Sequence, residues 1–171
     1  MLLPIITYPN KILKSVSTQV ENFDENLHIL LENMYETMIA SNGIGLAAIQ
    51  VAVPQRILIL CIPDEEGNQF IENRLEIINP VIHHPRGITT YQEGCLSVPG
   101  FYEEIERFES LELHYHNRYG EPSVLEAHEL LAIAIQHEMD HLEGKLFIEK
   151  LTYNRRKKFE KEYKKALKEK K

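Results

Sequence analysis

Cysteine is scarce in this chain: only Cys61 and Cys95 occur in 171 residues. They stand far apart, and the absence of a close-spaced pair argues against a closed, thiolate-rich structural metal site. No apolar run approaches the roughly 18–20 residues that cross a bilayer. The opening Met1-Leu2-Leu3-Pro4-Ile5-Ile6 lacks the basic region and small-residue cleavage site of a secretory signal. A cytoplasmic protein with reduced thiols and no membrane partner is therefore expected. Gly43 and Gly45 flank Ile44, but no Lys or Ser/Thr follows as in a phosphate loop. There is no internal repeat and no long linker. Apolar residues make up 43% and charged residues 26%, an ordinary globular balance. At this length the reading is one domain over residues 1–171.

Charge is unevenly distributed. Residues 154–171 hold ten Lys or Arg and three Glu, so this segment is +7 and the rest of the −7 chain is −14. Residues 152–171 read as a basic C-terminal helix. Such a face is either solvated or leans on a polyanion.

Asp24 caps a helix over 24–40, where Leu27, Leu30, Leu31, Met34 and Met38 recur at helical spacing until Asn42-Gly43 ends it. Arg56–Cys61 is a short apolar run between Pro54 and Pro63, and reads as a buried strand. Asp64–Asn68 is turn chemistry leading towards Glu76-Ile77-Ile78, a strand expected to stop at Asn79-Pro80. Alternation from Ile105 to His116 predicts one antiparallel strand, turned at Tyr119–Pro122 into a second through Val124 and Leu125. A helix from about His128 to Glu143 is apolar nearly all round, as a core helix is, with Gly144 at its C-cap. The fold class is α+β: antiparallel strands packed around a central buried helix, plus the C-terminal helix.

That buried helix carries His137-Glu138-Met139-Asp140-His141. Residues four apart share a face, so His137 and His141 can grip one cation with Glu138 beside it. Leu130, Ala134, His137 and His141 form one inward stripe, and polar groups there cost several kcal/mol unless ligated or hydrogen-bonded. A third ligand must come from elsewhere. No Gly-x-x-His follows His141, Glu160 lies in the lysine-rich tail, and His128 is nine positions from His137 on the same helix. Cys95, in Glu93-Gly94-Cys95-Leu96-Ser97, is the candidate left, and three ligands leave a position open as catalytic sites do. Gln50 offers an uncharged donor suited to an oxyanion.

The segments GIGLAAIQ at 43–50, EGCLS at 93–97 and QHEMDHLEG at 136–144, in that order, resemble the three signature motifs of bacterial peptide deformylase. The resemblance extends over nearly the whole chain. It implies a metal-dependent hydrolase that removes the formyl group from the N-terminal formyl-methionine of newly made polypeptides and releases formate. Water activated by the cation would attack the formyl carbon, with Glu138 as general base and acid. Cys95, His137 and His141 would be the metal ligands, and Gln50 with the Leu96 N–H the oxyanion donors. The implied cofactor is one Fe²⁺ per chain, which Ni²⁺, Co²⁺ or Zn²⁺ can replace.

Backbone at Ile44 and Gly45 would run beside the bound peptide. Ile44, Leu130, Ile133 and Ala134 are candidates for the methionine pocket. Ile49 departs from the Pro, and Tyr102 from the Arg, of other members. Glu93 is expected to pair with Arg107 and order the cysteine segment. Two rival readings remain at this point. The His-Glu-x-x-His alone also fits a zinc endopeptidase, and the basic tail also fits a nucleic-acid-binding or ribosome-associated protein in which the metal is merely structural. No specific nucleic-acid recognition is expected.

Overall fold

The run Ile57-Leu58-Ile59-Leu60 does not alternate between apolar and polar because it has no solvent side. In the computed structural model, which describes residues 1–170, all four side chains are fully buried in strand β2 (Ile57–Leu60). Leu58 and Leu60 join one apolar cluster, Ile57 and Ile59 another on the opposite face. A strand buried on both faces reads as a continuous hydrophobic run. Each such side chain contributes about 1.5–3 kcal/mol by leaving water.

Strand β2 lies within a five-stranded antiparallel sheet of order β1-β2-β3-β6-β7. Its other members are β1 (Gly45–Ala47), β3 (Leu75–Arg86), β6 (Ser110–His116) and β7 (Pro122–His128). A two-stranded hairpin of β4 (Thr89–Cys95) and β5 (Val98–Arg107) stands apart from it. Helix α1 (Glu25–Ala40) covers one face of the sheet at its β1–β2 end through Leu27, Leu31, Met34 and Met38. Asp24 caps it by accepting from the Leu27 N–H. Asn42, in the left-handed region at φ 59°, ends it while Gly43 N–H bonds Met38 C=O.

Helix α2 (Glu129–Leu142) packs on the opposite face. Ala132, Ala134, Ile135 and Leu142 meet Leu58, Leu60, Ile77, Leu111, Leu113 and Ala127 there. Gly144 closes it at φ 72°, so close to the backbone of Lys14 that a Cβ would lie 2.3 Å from that carbonyl oxygen. Helix α3 (Tyr153–Glu169) begins at Thr152, whose side chain accepts from Arg155 N–H. Phe159 and Tyr163 anchor it against Tyr8 and Phe101, and the Tyr163 hydroxyl donates to Tyr8 C=O at 2.9 Å. Lys171, the last residue of the expected helix, lies outside the described residues.

Two expectations need correction, and one strand went unforeseen. Strand β3 does not stop at Asn79-Pro80 but runs on to Arg86. Asn79 takes φ 53° and forms a bulge between Ile78 and Val81, so the missing Pro80 N–H breaks no ladder bond. The stretch Ile105–His116 is two strands in different sheets, β5 and β6. Gln136 of α2 holds the crossing, accepting from Phe108 N–H and donating to Phe108 C=O, both at 2.9 Å. Strand β4 was not foreseen at all, because Gln92 and Tyr91 face solvent and mask its periodicity.

Candidate metal centre and cleft

Helical spacing sets the first half of the site. His137 and His141 project from one face of α2 with ring centroids 5.2 Å apart. The β4–β5 hairpin delivers the second half. Its two-residue turn, Leu96-Ser97, follows Cys95 at the end of β4 and presents the sulfur to the helix. Cys95 Sγ lies 3.5 Å from His141 Nε2. One potential ligand atom from each of Cys95, His137 and His141 falls within 4.8 Å of the others.

Each imidazole has its second nitrogen in a different setting. His137 Nδ1 is 2.8 Å from Glu93 Oε1, which leaves Nε2 for the centre. Glu93 in turn accepts two bonds from Arg107, at 2.7 and 2.8 Å, and Arg107 donates a third to Asp140 at 2.7 Å. The expected Glu93–Arg107 pair is present, and Asp140 completes a chain that sequence inspection missed. Its signal was available: Asp140 stands three residues after His137, one helical turn along. A carboxylate that holds the far side of a ligating imidazole fixes its tautomer and ring angle.

Burial penalises the charged form of every group here, and the outcomes diverge. Glu93 resists it: Arg107 and His137 hold its carboxyl below the usual range. At His137 the penalty is outweighed by Cys95 and Glu93, so the imidazole sits well above its ordinary value. At His141 burial prevails, helped by His137 and Arg107, and the imidazole is neutral in character. Glu138, only 5% exposed, is pushed up to about 7 chiefly by burial. Its Oε1 lies 4.0 Å from His137 Nε2, while its Oε2 and His141 Nδ1 find no hydrogen-bond partner among the described residues.

A cleft of about 530 Å³ opens onto this cluster. Gln50, fully buried, has its Oε1 fixed by Ala47 N–H and its Nε2 placed 3.0 Å from Ser97 Oγ and 3.6 Å from Cys95 Sγ. Gly45 lies so close to Glu138 that a Cβ would sit 2.9 Å from Oε1. Ile44, Gly45, Gln50 and Leu96 line the cleft on one side, with Leu130, Ile133 and Ala134 on the helix side. Cys95, His137 and Glu138 also reach it, whereas His141 lies fully buried beneath. Thus all the residues singled out from the sequence gather at one place. Tyr102, 64% exposed, lies across Gly94 at the rim, where a Cβ on that glycine would meet the ring at 2.5 Å. Ser97, which accepts from Gln50, was missed, and a lone serine two residues after a cysteine carries no sequence signal.

Residues 2–157 match the family model described as polypeptide deformylase. A peptide deformylase from Helicobacter pylori strain P12 is 58% identical over 170 residues, covering 99% of this chain and 98% of that protein. The crystal structure of peptide deformylase from Ehrlichia chaffeensis superposes with a TM-score of 0.90 at 36% identity, covering 98% of each chain. A Met-Ala-Ser-bound peptide deformylase from Acinetobacter baumannii gives a TM-score of 0.82 at 31% identity, covering 88% of this chain and 99% of that one.

Proposed function

The chain belongs to the polypeptide deformylase family, enzymes that remove the N-formyl group from nascent peptides, and on that premise we propose how its own residues do so. Residues 1–171 act as one catalytic domain on formyl-methionyl peptides. The observation that carries the reading is the convergence of Cys95, His137 and His141 beside the buried carboxylate of Glu138. A thiolate and two imidazoles are a donor set for a divalent transition metal, and the Glu93-held His137 is oriented as ligating histidines are. These three side chains would hold one cation, Fe²⁺ with Ni²⁺, Co²⁺ or Zn²⁺ as substitutes. When bound, it supplies a Lewis acid that acidifies water and polarises the formyl oxygen.

Glu138 moves the proton. With its carboxyl raised to about 7, it takes a proton from the attacking water and returns it to the departing amine nitrogen. The peptide C–N bond to the formyl carbon breaks, and formate and a free amino terminus result. Gln50 Nε2 and the Leu96 N–H donate to the oxygen that gains charge in the tetrahedral state, so they act on turnover more than on binding. Strand β1 is a sheet edge, so backbone at Ile44 and Gly45 runs beside an extended peptide on the side away from β2. Ile44, Leu130, Ile133 and Ala134 receive the methionine side chain. The Met-Ala-Ser peptide held by the Acinetobacter relative is what such a reaction leaves behind. The family match ends at residue 157, within the basic helix, and transient ribosome contact through that helix is part of this proposal.

Formate release from a short formyl-Met peptide tests the assignment. Cys95→Ala is expected to lose both bound metal and formate release. Glu138→Ala is expected to keep the metal and lose turnover by several orders of magnitude. Near-parental turnover in Glu138→Ala would overturn the proton-transfer role. Internal cleavage of unformylated peptides would favour the endopeptidase reading instead.

A further inference from the structure

Away from the cleft, histidine is concentrated on one surface. The face of the five-stranded sheet turned away from α2 carries His83 on β3 and Glu112 and His114 on β6. The pairing puts His83 directly opposite Glu112, and Glu112 directly opposite Glu126 of β7. The His83 and His114 rings lie 4.0 Å apart between centroids, and the His84 ring lies 6.2 Å from His83. His114 Nε2 is 2.5 Å from Glu112 Oε1. His83 and His84 are exposed, and the His114 and Glu112 side chains are 43% and 25% exposed.

This arrangement is electrostatically incomplete. Like charges directly opposite across strands cost stability. Arg86 answers Glu126 at 3.0 Å, but the ion-pair partner of Glu112 among the described residues is His114 rather than an Arg or Lys. The Glu112 carboxyl is held below its usual range first by the His114 hydrogen bond, with His84 and His83 adding to it. His83 and His114 therefore stand beside one carboxylate that has no Arg or Lys ion-pair partner among the described residues.

We propose that His83, His114 and Glu112 form a second, surface metal site that takes a borderline divalent cation such as Zn²⁺ or Ni²⁺. Two imidazoles and a carboxylate are the donors these ions prefer, with water completing the shell. Directly opposed side chains start about 4.5–5.5 Å apart at Cβ, and diagonal ones about 7–8 Å apart, which a single cation can span. The rings are tilted at 44° to each other, and their nitrogens do not converge with the carboxylate as the ligand atoms of the Cys95 centre do. Being solvent-facing, they turn about χ1 and χ2 with no change in the strands. His84, whose φ of 49° lifts it out of the ladder, stands near enough to serve as a fourth ligand. The cation would balance Glu112 and cross-link β3 to β6. It lies on the opposite side of the sheet from His137 and His141, so the two sites fill independently.

Equilibrium dialysis against a series of Zn²⁺ concentrations tests this, with bound metal per chain counted by elemental analysis. The whole protein is compared with the His83→Ala/His114→Ala double variant and with Glu112→Gln. The double variant is expected to bind one equivalent fewer than the parent, two against one where the Cys95 centre is also filled. In Glu112→Gln the second equivalent is expected to need at least tenfold more free Zn²⁺. The difference between proteins is read, so the result does not depend on what the Cys95 centre does. Equal stoichiometry in parent and double variant would overturn the proposal.

Discussion

Replacing Gly45 with alanine probes the contact that sets the position of Glu138. Gly45 is not among the residues with positive φ, so alanine meets no backbone strain there and the effect is steric alone. The new methyl would lie 2.8 Å from Leu60 Cδ2, 2.9 Å from Glu138 Oε1 and 3.1 Å from Glu138 Cγ. Leu60 is fully buried in a strand packed on both faces, and Glu138 is held by the rigid helix that also carries both histidines. Overpacking of this kind costs about 1–3 kcal/mol. For a chain of this size that lowers Tm by about 2–12 °C. The carboxylate must withdraw by several tenths of an ångström, and misplacement on the ångström scale costs about 10²-fold in rate. The expected result is kcat for formate release reduced about 10–100-fold with bound metal unchanged. Adding Leu60→Val relieves the other contact, so it should recover thermal stability without recovering kcat. Parental kcat in Gly45→Ala, rescue of kcat by Leu60→Val, or a loss confined to KM would each refute the reasoning.

Substitutions at two further positions test the supports of the site and of its helix. Arg107→Met strips Glu93 of both guanidinium bonds inside a buried pocket, and breaking such a pair costs about 3–5 kcal/mol. Urea unfolding should show that loss in the midpoint at constant slope. A change below about 1 kcal/mol would mean that His137 alone satisfies the carboxylate. Gly144→Ala forces a side chain into φ 72° and against Lys14 C=O, so thermal unfolding should fall markedly. Gly144→Asn tolerates the backbone angle but keeps the clash, and parental stability in that variant would show that the Lys14 contact does not matter.

The parts of this protein legible in its sequence are those governed by local periodicity. Helix α1 could be read with its Asp24 cap and its Asn42-Gly43 stop because spacing and capping involve neighbours within a turn or two. The same holds for α2, for the shared face of His137 and His141, and for β2 as a strand with no solvent side. The motif order also carried the family, which the comparisons show.

What sequence inspection could not supply depends on partners far away in the chain. The stretch from Ile105 to His116 reads as one strand, yet it divides at Phe108, where Gln136, 28 residues on, takes up the backbone. Asn79-Pro80 looks terminal, yet a bulge carries β3 past it to the histidine-bearing surface. Local rules place His137 and His141 on one helical face, since 3.6 residues make a turn whatever surrounds it. Only tertiary folding could bring Cys95 to 3.5 Å from His141 across 46 residues, lay Gly45 against Glu138 and set Arg107 between Glu93 and Asp140. Those distances are fixed by how the hairpin, the edge strand and α2 pack together, and packing is a property of the whole chain rather than of any segment.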